Sequence, residues 1–323
     1  DTTAPDITCP ANVTAECTSR DGVVVTYDAP THSGNECNGD ATLTYSQASG
    51  STFPIGTTTV ICIATDPAGN KNICSFTVTV VDSTPPVVTC AANVSAEATS
   101  SSGAAVSYAA ATATDDCDDN VAITYSAASG STFAIGTTAV TATATDDNGN
   151  VSTCAFDVTV VDTTAPAITC SANVSAEATS SAGAVATYGA ATATDNCDET
   201  VSISYSAASG STFAIGATTV TVTATDDNGN SSTCSFNVAV TDTTVPTITC
   251  AAAPGTAEAT SPAGAVVSYD AATAADIGDD SVDITYSAAS ASTFAIGTTT
   301  VTATATDDSG NTDTCTFDVV VAD

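Results

Sequence analysis

Residues 143–166 read TATDDNGNVSTCAFDVTVVDTTAP, and this stretch organises the whole chain. The same text returns with few changes at 223–246, and looser versions occupy 63–86 and 304–323. Each copy contains the end of one predicted strand, an acidic turn and a cysteine-bearing strand. The first three copies continue through a short joint that ends in proline. Four copies of one element indicate a tandem repeat protein.

The cysteines set the length of the repeat. The first set is separated by 81, 80 and 80 residues and comprises Cys9, Cys90, Cys170 and Cys250. The second set is separated by 80, 80 and 81 residues and comprises Cys74, Cys154, Cys234 and Cys315. The period predicts four domains, at 1–81, 82–161, 162–241 and 242–323. Asp323 occupies the place of Asp82, so we expect either a window of a longer repeat array or a processed chain.

Within a repeat the hydrophobic pattern is typical of β-strands. In the segment 137–146, Val140, Ala142 and Ala144 alternate with threonines, which predicts a half-buried strand with the small apolar residues facing inward. Asn148-Gly149 follows, and such a pair predicts a hairpin turn that needs a positive φ. Six or seven short strands at regular spacing, with no helical periodicity, predict an all-β Greek-key sandwich.

The charge of the chain is strongly one-sided. It has 36 acidic residues and two basic ones, Arg20 and Lys71, giving a net charge of −34. Such a surface repels nucleic acid and anionic lipid, so we expect neither as a partner. No apolar run is long enough to span a bilayer, so membrane insertion is not expected. The charge favours either bound cations or simple solubility in a saline setting.

Several motifs together resemble one family. They are ITC-x-ANV, STF-x-IGTTTV, ATD-x-x-GN and C-x-F-x-V-x-V, which in the first repeat begin at residues 7, 51, 64 and 74. They resemble the HYR (hyalin repeat) domain, an immunoglobulin-like module. The resemblance implies an extracellular or cell-surface, structural or adhesive protein whose modules are not catalytic. It predicts four tandem immunoglobulin-like Greek-key β-sandwiches. Joints as short as 162–166, stiffened by proline, predict an extended rod.

The fourth repeat simplifies the disulfide assignment because it contains only Cys250 and Cys315. These two are expected to pair, and by analogy so are Cys9 with Cys74, Cys90 with Cys154, and Cys170 with Cys234. The first repeat adds Cys17 and Cys62. Both lie at inward positions where the other repeats have Ala or Val, so they are predicted to form a second bridge.

Three cysteines remain, one in each acidic loop of the first three repeats: Cys37, Cys117 and Cys197. The family resemblance implies a partner on the following strand, where this chain has Tyr45, Tyr125 and Tyr205. Two interpretations stay open for these unpaired cysteines. They form intermolecular bonds between neighbouring chains, or they are buried, inert thiols.

The acidic loops predict a metal site. In an immunoglobulin-like sandwich the acidic loop, the final hairpin turn and the incoming joint lie at one end of the domain. Carboxylate and amide oxygens without His donors suit Ca²⁺. The alternative is that Asp and Asn serve only as turn residues. The predicted ligands are Asp82, Asp115, Asp116, Asp118, Asp146, Asp147 and Asn150; Asp162, Asp195, Asp198, Asp226, Asp227 and Asn230; and Asp242, Asp276, Asp279, Asp307, Asp308 and Asn311.

Five sequons allow N-glycosylation where the host supplies it: Asn12, Asn93, Asn150, Asn173 and Asn230. His32 is the only histidine, and no nucleophile or phosphate-binding motif is present. We therefore expect a non-catalytic structural repeat protein that forms a filament or surface fibre, stiffened by calcium and cross-linked by disulfides. Self-association or further copies of the repeat are the expected partners. Two alternatives are a calcium-dependent adhesin that binds glycan or surface protein, and a spacer in a larger secreted enzyme.

Overall fold

The computed structural model describes residues 1–33 and 40–323, and the regular structure of these residues is entirely β-strand, without a helix. Cys37 lies outside the described residues. The strands of the first repeat are β1 (Asp6–Thr8), β2 (Val13–Glu16), β3 (Val23–Val25), β4 (Thr31–Ser33), β5 (Thr42–Tyr45), β6 (Ser51–Phe53), β7 (Gly56–Thr65) and β8 (Lys71–Val81). Those of the second are β9 (Val87–Thr89), β10 (Val94–Glu97), β11 (Ala104–Ala105), β12 (Thr112–Thr114), β13 (Ala122–Tyr125), β14 (Thr132–Phe133), β15 (Gly136–Thr145) and β16 (Val151–Val161).

The second half of the chain repeats this order. The strands of the third repeat are β17 (Ala167–Thr169), β18 (Val174–Glu177), β19 (Ala184–Val185), β20 (Thr192–Thr194), β21 (Ser202–Tyr205), β22 (Thr212–Phe213), β23 (Gly216–Thr225) and β24 (Ser231–Thr241). Those of the fourth are β25 (Thr247–Thr249), β26 (Ala257–Glu258), β27 (Ala265–Val267), β28 (Thr273–Ala275), β29 (Asp283–Tyr286), β30 (Ser292–Phe294), β31 (Gly297–Thr306) and β32 (Thr312–Ala322). None of the described segments is a helix long and apolar enough to cross a membrane.

Each repeat has the same sheet topology. In the second repeat a four-stranded sheet has the order β10-β16-β15-β13, with β10 parallel to β16 and the other pairs antiparallel. Two short antiparallel pairs, β9 with β12 and β11 with β14, complete the repeat. The core of the third repeat joins residues of both layers, such as Val220 and Val238 of the large sheet and Phe213 of β22. The predicted sandwich is therefore observed.

The long hairpin of each repeat carries the predicted pattern. Val140, Ala142 and Ala144 of β15 are fully buried, while the threonines between them face outward. The turn between β15 and β16 is closed by hydrogen bonds from the Asp146 N–H to the Asn150 carbonyl and from the Gly149 N–H to the Asp146 carbonyl. Gly149 has a φ of 88°, a value that favours glycine.

Contacts divide the chain into two compact units, Asp1–Asp162 and Thr163–Asp323, and each unit contains two repeats. Four disulfides, each within one repeat, join the pairs that the sequence predicts. They are Cys9–Cys74, Cys90–Cys154, Cys170–Cys234 and Cys250–Cys315. Each disulfide ties the segment after the first strand of a repeat to the last strand, and so holds the two layers together.

The fifth disulfide corrects two predictions. Cys17 is bonded to Cys117 of the next repeat rather than to Cys62, so Cys117 is not an orphan. The backbone N–H of Cys17 donates to the carbonyl of Val81, at the end of β8. Cys17 therefore lies beside the end of β8, whereas Cys62 lies opposite Cys74. Cys74 precedes Val81 by seven residues on the same strand. At about 3.3 Å per residue the two positions are ~23 Å apart, and a disulfide needs Cα atoms within about 7 Å.

Candidate functional site

We use the term first joint for Asp82–Pro86 together with the loop 115–119 and the turn 146–150. The term third joint denotes the equivalent residues 242–246, 276–280 and 307–311. The first joint lies within one compact unit and the third within the other. In both, the incoming segment meets the hairpin turn of the following repeat, as the sequence predicts.

At the first joint, amide groups donate hydrogen bonds to the buried aspartate Asp82. The Nδ2 of Asn148 donates to Oδ2 of Asp82 at 3.0 Å, and the backbone N–H of Thr84 donates to Oδ1 at 3.2 Å. The Nδ2 of Asn150 donates to the Asp82 carbonyl at 3.2 Å. Asp82 is 8% exposed and therefore needs these donors, because a buried charge without partners is costly.

Both carboxylate oxygens of Asp146 accept hydrogen bonds within the turn, so neither is an open ligand position for a metal ion. Its Oδ1 accepts the backbone N–H groups of Asn148 and Asn150, and its Oδ2 accepts Nδ2 of Asn150. Burial by itself raises the pKa of Asp146. The hydrogen bonds from Asn150 and from the turn outweigh burial and hold the pKa below its usual range. For this residue the simpler interpretation, turn chemistry, accounts for both oxygens.

The acidic loop of the second repeat is also tied to the turn. Oδ1 of Asp115 accepts the N–H of Cys117 at 2.8 Å, and Oδ2 of Asp118 accepts the N–H of Asp147 at 2.7 Å. Asp116 is exposed. The prediction that the loop and the turn lie together is confirmed. However, several of their carboxylate oxygens already accept hydrogen bonds within the joint.

A disulfide and an exposed ion pair link the two repeats at the first joint. Cys17 and Cys117 form the disulfide, and their sulfur atoms lie within 4.8 Å of a carboxylate oxygen of Asp82. Nη1 of Arg20 donates to both carboxylate oxygens of Asp119, at 2.6 and 2.7 Å. This ion pair is not among the contacts predicted from the sequence. Arg20 being the only arginine in an acidic chain was the available signal, but its partner lies 99 residues away.

In both joints a glutamate outside the predicted site accepts hydrogen bonds from the residue that follows the buried aspartate. In the first unit the carboxylate of Glu16 accepts the N–H and hydroxyl of Ser83, and in the second that of Glu177 accepts the same groups of Thr243. These backbone and hydroxyl donors hold the pKa of Glu16 and of Glu177 below its usual range. The pattern Asp-Ser/Thr-Thr directly after a strand is the sequence signal for this contact, because it supplies an N–H and a hydroxyl donor.

At the third joint, by contrast, three carboxylates lie close together. One oxygen from each of Asp242, Asp276 and Asp307 lies within 4.8 Å of the others. Oδ2 of Asp276 is buried and has no hydrogen-bond partner among the described residues. Burial, followed by the charges of Asp276, Asp307 and Glu177, raises the pKa of Asp242, although the Thr244 N–H opposes this rise. This is the one corner where a buried carboxylate oxygen is left unpaired among the residues that the structure covers.

The rest of the third joint resembles the first. Oδ2 of Asp279 accepts the N–H of Asp308 at 2.7 Å. Asn311 donates through Nδ2 to the Asp242 carbonyl and to Oδ2 of Asp307. Gly278 stands where the second repeat has Cys117, and a Cβ there would lie 2.5 Å from Cγ of Asp242. The Asp242 carboxylate therefore fills the space that a side chain at position 278 would need.

The predicted ligands of the third repeat lie in the second unit, whereas Asp162 ends the first. Oδ1 of Asp195 accepts the N–H of Cys197, and Oδ2 of Asp198 accepts the N–H of Asp227. Asn230 donates to both oxygens of Asp226 through its backbone N–H and Nδ2. Cys197 is buried.

The sequons differ in their surroundings. Asn12, Asn93 and Asn173 are exposed, and the Oδ1 of each accepts a backbone N–H from the last strand of its repeat. Nδ2 of Asn150 and of Asn230 donates to the turn aspartate. A glycan on either nitrogen would replace one of its hydrogens, so glycosylation competes with turn formation at these two positions.

Comparison with known proteins identifies the class. The HYR domain model matches the chain four times, at residues 1–80, 81–160, 161–240 and 241–321. The chain therefore belongs to the HYR domain family, as its motifs indicate.

Its relatives include two proteins named hyalin. One, from Strongylocentrotus purpuratus, is 36% identical over 92% of this chain and 26% of its own length. The other, from Lytechinus variegatus, is 31% identical over 99% of the chain and 63% of its own length. The chain thus spans about a quarter of the first and under two thirds of the second. Among solved structures, cadherin domains 3–6 of protocadherin gamma B2 align over 99% of the chain and 100% of their own length, at 14% identity and a TM-score of 0.39.

Proposed function

We propose that the chain is a non-catalytic, extracellular structural element, a semi-rigid rod of HYR repeats whose stiffness is set at the joints. The five disulfides between described residues support an oxidising, extracellular setting. Short joints with proline, such as Asp82–Pro86, support restricted motion between neighbouring repeats. The expected partners are further copies of the repeat.

The third joint carries the proposal that calcium contributes to this stiffness. Three carboxylates share one corner, one of their oxygens is buried without a donor in the part of the chain that the structure describes, and both basic residues lie in the first repeat. Without a counter-charge such an arrangement is unfavourable. The donor set fits Ca²⁺, which prefers oxygen ligands. Asp242, Asp276 and Asp307 would hold the ion, which would supply the positive charge that the protein itself lacks there.

The observed disulfides reduce the number of cysteines that could cross-link neighbouring chains. Cys117 bonds to Cys17 within the chain, so it does not cross-link neighbouring chains. Arg20, one of the two basic residues of the chain, is used in the same joint to bind Asp119. Cys17 and Arg20, which distinguish the first repeat, therefore favour a role in joining two repeats over a role in binding a glycan or a surface protein.

Calorimetry with calcium or EDTA tests the metal proposal. At a calcium concentration about 100 times the Kd, binding to the folded state alone would stabilise it by about 2.7 kcal/mol. Hydrogen exchange should show the gain at 242–246, 276–280 and 307–311. Asp276→Asn should abolish it. Asp270→Asn, which changes an exposed aspartate outside the cluster, serves as the matched control. Equal unfolding temperatures with calcium and with EDTA would exclude calcium stiffening.

A further inference from the structure

The first repeat brings three sulfur atoms together in its core. The Sγ atoms of Cys9, Cys62 and Cys74 all lie within 4.8 Å of one another. Cys9 and Cys74 form the disulfide between the two layers, while Cys62 is a buried, free thiol. The first repeat is special in this respect, since the equivalent positions in the other repeats are Ala142, Val222 and Ala303.

The backbone places the thiol directly beside the bond. Cys62 lies opposite Cys74 in the antiparallel pairing of β7 with β8. Directly opposite residues in such a pair have Cβ atoms about 4.5–5.5 Å apart, close to the separation that a disulfide needs. A bond between Cys62 and Cys74 therefore requires only small local shifts, with no change of strand register.

The surroundings of Cys62 are apolar and aromatic. Tyr45 is its partner on β5, and Tyr27 packs against both Tyr45 and Phe76. Burial raises the pKa of the Cys62 thiol, so its thiolate is scarce at neutral pH and the group reacts slowly. The thiol is thus protected from solvent reagents while it remains in contact with the disulfide.

We propose that Cys9, Cys62 and Cys74 form an internal thiol–disulfide exchange site that passes the free thiol from Cys62 to Cys9. The Cys62 thiol gives its proton to solvent, and the thiolate sulfur attacks Sγ of Cys74. A Cys62–Cys74 bond forms, the Cys9–Cys74 bond breaks, and Cys9 leaves as a thiolate that takes up a proton. One thiol and one disulfide are present before and after, so no oxidant or reductant is consumed.

The exchange changes which sulfur is accessible. Cys62 is 0% exposed in the middle of the large sheet, whereas Cys9 is partly exposed after β1. The product keeps a bridge within the large sheet but no longer ties β1 to β8. The first repeat would then present a reactive thiol at its edge, available to a thiol reagent or a second chain.

Trapping with N-ethylmaleimide tests the site. The intact protein is incubated with the reagent at a pH of about 8.5, where a thiol of ordinary pKa is half ionised. After acid quenching, peptides are mapped by mass spectrometry. We expect label on Cys9 and an equal amount of peptide linked between Cys62 and Cys74. Cys62→Ala, which installs the residue of the second and fourth repeats, should reduce labelling of Cys9 by about tenfold or more.

The second repeat provides a gain-of-function control. Ala142→Cys places a thiol opposite Cys154, and we expect label to appear on Cys90, which is unreactive in the parent protein. All other cysteines remain in both variants, and an unchanged circular dichroism spectrum shows that the variants fold. Label that stays on Cys62, label on Cys74 in place of Cys9, or labelling of Cys9 that survives Cys62→Ala would each overturn the proposal.

Discussion

The first and third joints are built from equivalent segments but are stabilised by different chemistry. The first has the Cys17–Cys117 disulfide, the Arg20–Asp119 ion pair and an amide that donates to its buried aspartate. At the equivalent positions, the third joint has Ala178 with Gly278, Ser181 with Asp280, and Ser309 in place of Asn148.

The consequence appears in the buried aspartates. Asp82 accepts a hydrogen bond from the side-chain amide of Asn148. Asp242 instead lies close to Asp276 and Asp307, and burial together with these charges raises its pKa. Serine at 309 has no amide group to donate. In the first joint an amide side chain donates to the buried aspartate, whereas in the third joint Asp242 accepts only the Thr244 N–H among the contacts that reach its carboxylate in the described residues. We therefore expect repeats that look alike in sequence to differ in how their joints respond to reductant, calcium and pH.

The largest expected effect comes from removing the bond that locks the first joint. Cys17→Ala with Cys117→Ala opens a loop of 100 residues, worth about 4.7 kcal/mol in the chain-entropy model. The loss should fall on the first unit. Hydrogen exchange should accelerate at Asp82–Pro86 and at 115–119, with the third joint unchanged as the internal control. If exchange at the first joint is unaffected, the disulfide does not stabilise it.

A smaller effect is expected from adding a side chain to the third joint. In Gly278→Ala the new Cβ would lie 2.5 Å from Cγ of Asp242, and such overpacking costs about 1–3 kcal/mol. Chemical denaturation monitored in the second unit measures the loss. Combining the change with Asp242→Ala should recover stability, because the clashing group is removed. Additive losses in the double variant would show that the two groups do not compete for space.

The smallest effect concerns pH. The raised pKa of Asp242 means that its folded form binds a proton more readily than the unfolded chain. This group therefore makes stability fall as pH rises from the ordinary aspartate pKa through the raised value. Ser309→Asn should donate to Asp242 as Asn148 donates to Asp82, lower that pKa and add about 1 kcal/mol at neutral pH.

Melting curves in EDTA from about pH 4 to about pH 8 check this expectation. The difference between the parent protein and Ser309→Asn isolates Asp242 from Glu177, whose pKa shifts in the opposite direction. The gain should be largest at high pH and vanish at low pH. A gain that is constant with pH would assign the benefit to packing rather than to the charge of Asp242.

Much of the fold follows from local pattern. The alternation around Val140, the glycine at 149 and the repeated cysteines predict the strands, the turn and four of the disulfides. The meeting of Asp82 with the turn at 146–150 follows from the topology of the domain class. These features could be predicted because each depends on residues close in sequence, on comparison between the four repeats, or on the topology that the family resemblance implies.

What the sequence by itself determined is the repeat, the β-sandwich and the acidic end of each domain. Strand periodicity and turn residues act locally, and four copies make them unambiguous. Only the tertiary structure decided that Cys17 bonds to Cys117, that Cys62 faces Cys74, and that Asp276 keeps an oxygen with no partner among the described residues. These outcomes depend on which residues lie level along a strand and which repeat follows. Such distances in space are unrelated to spacing in the chain.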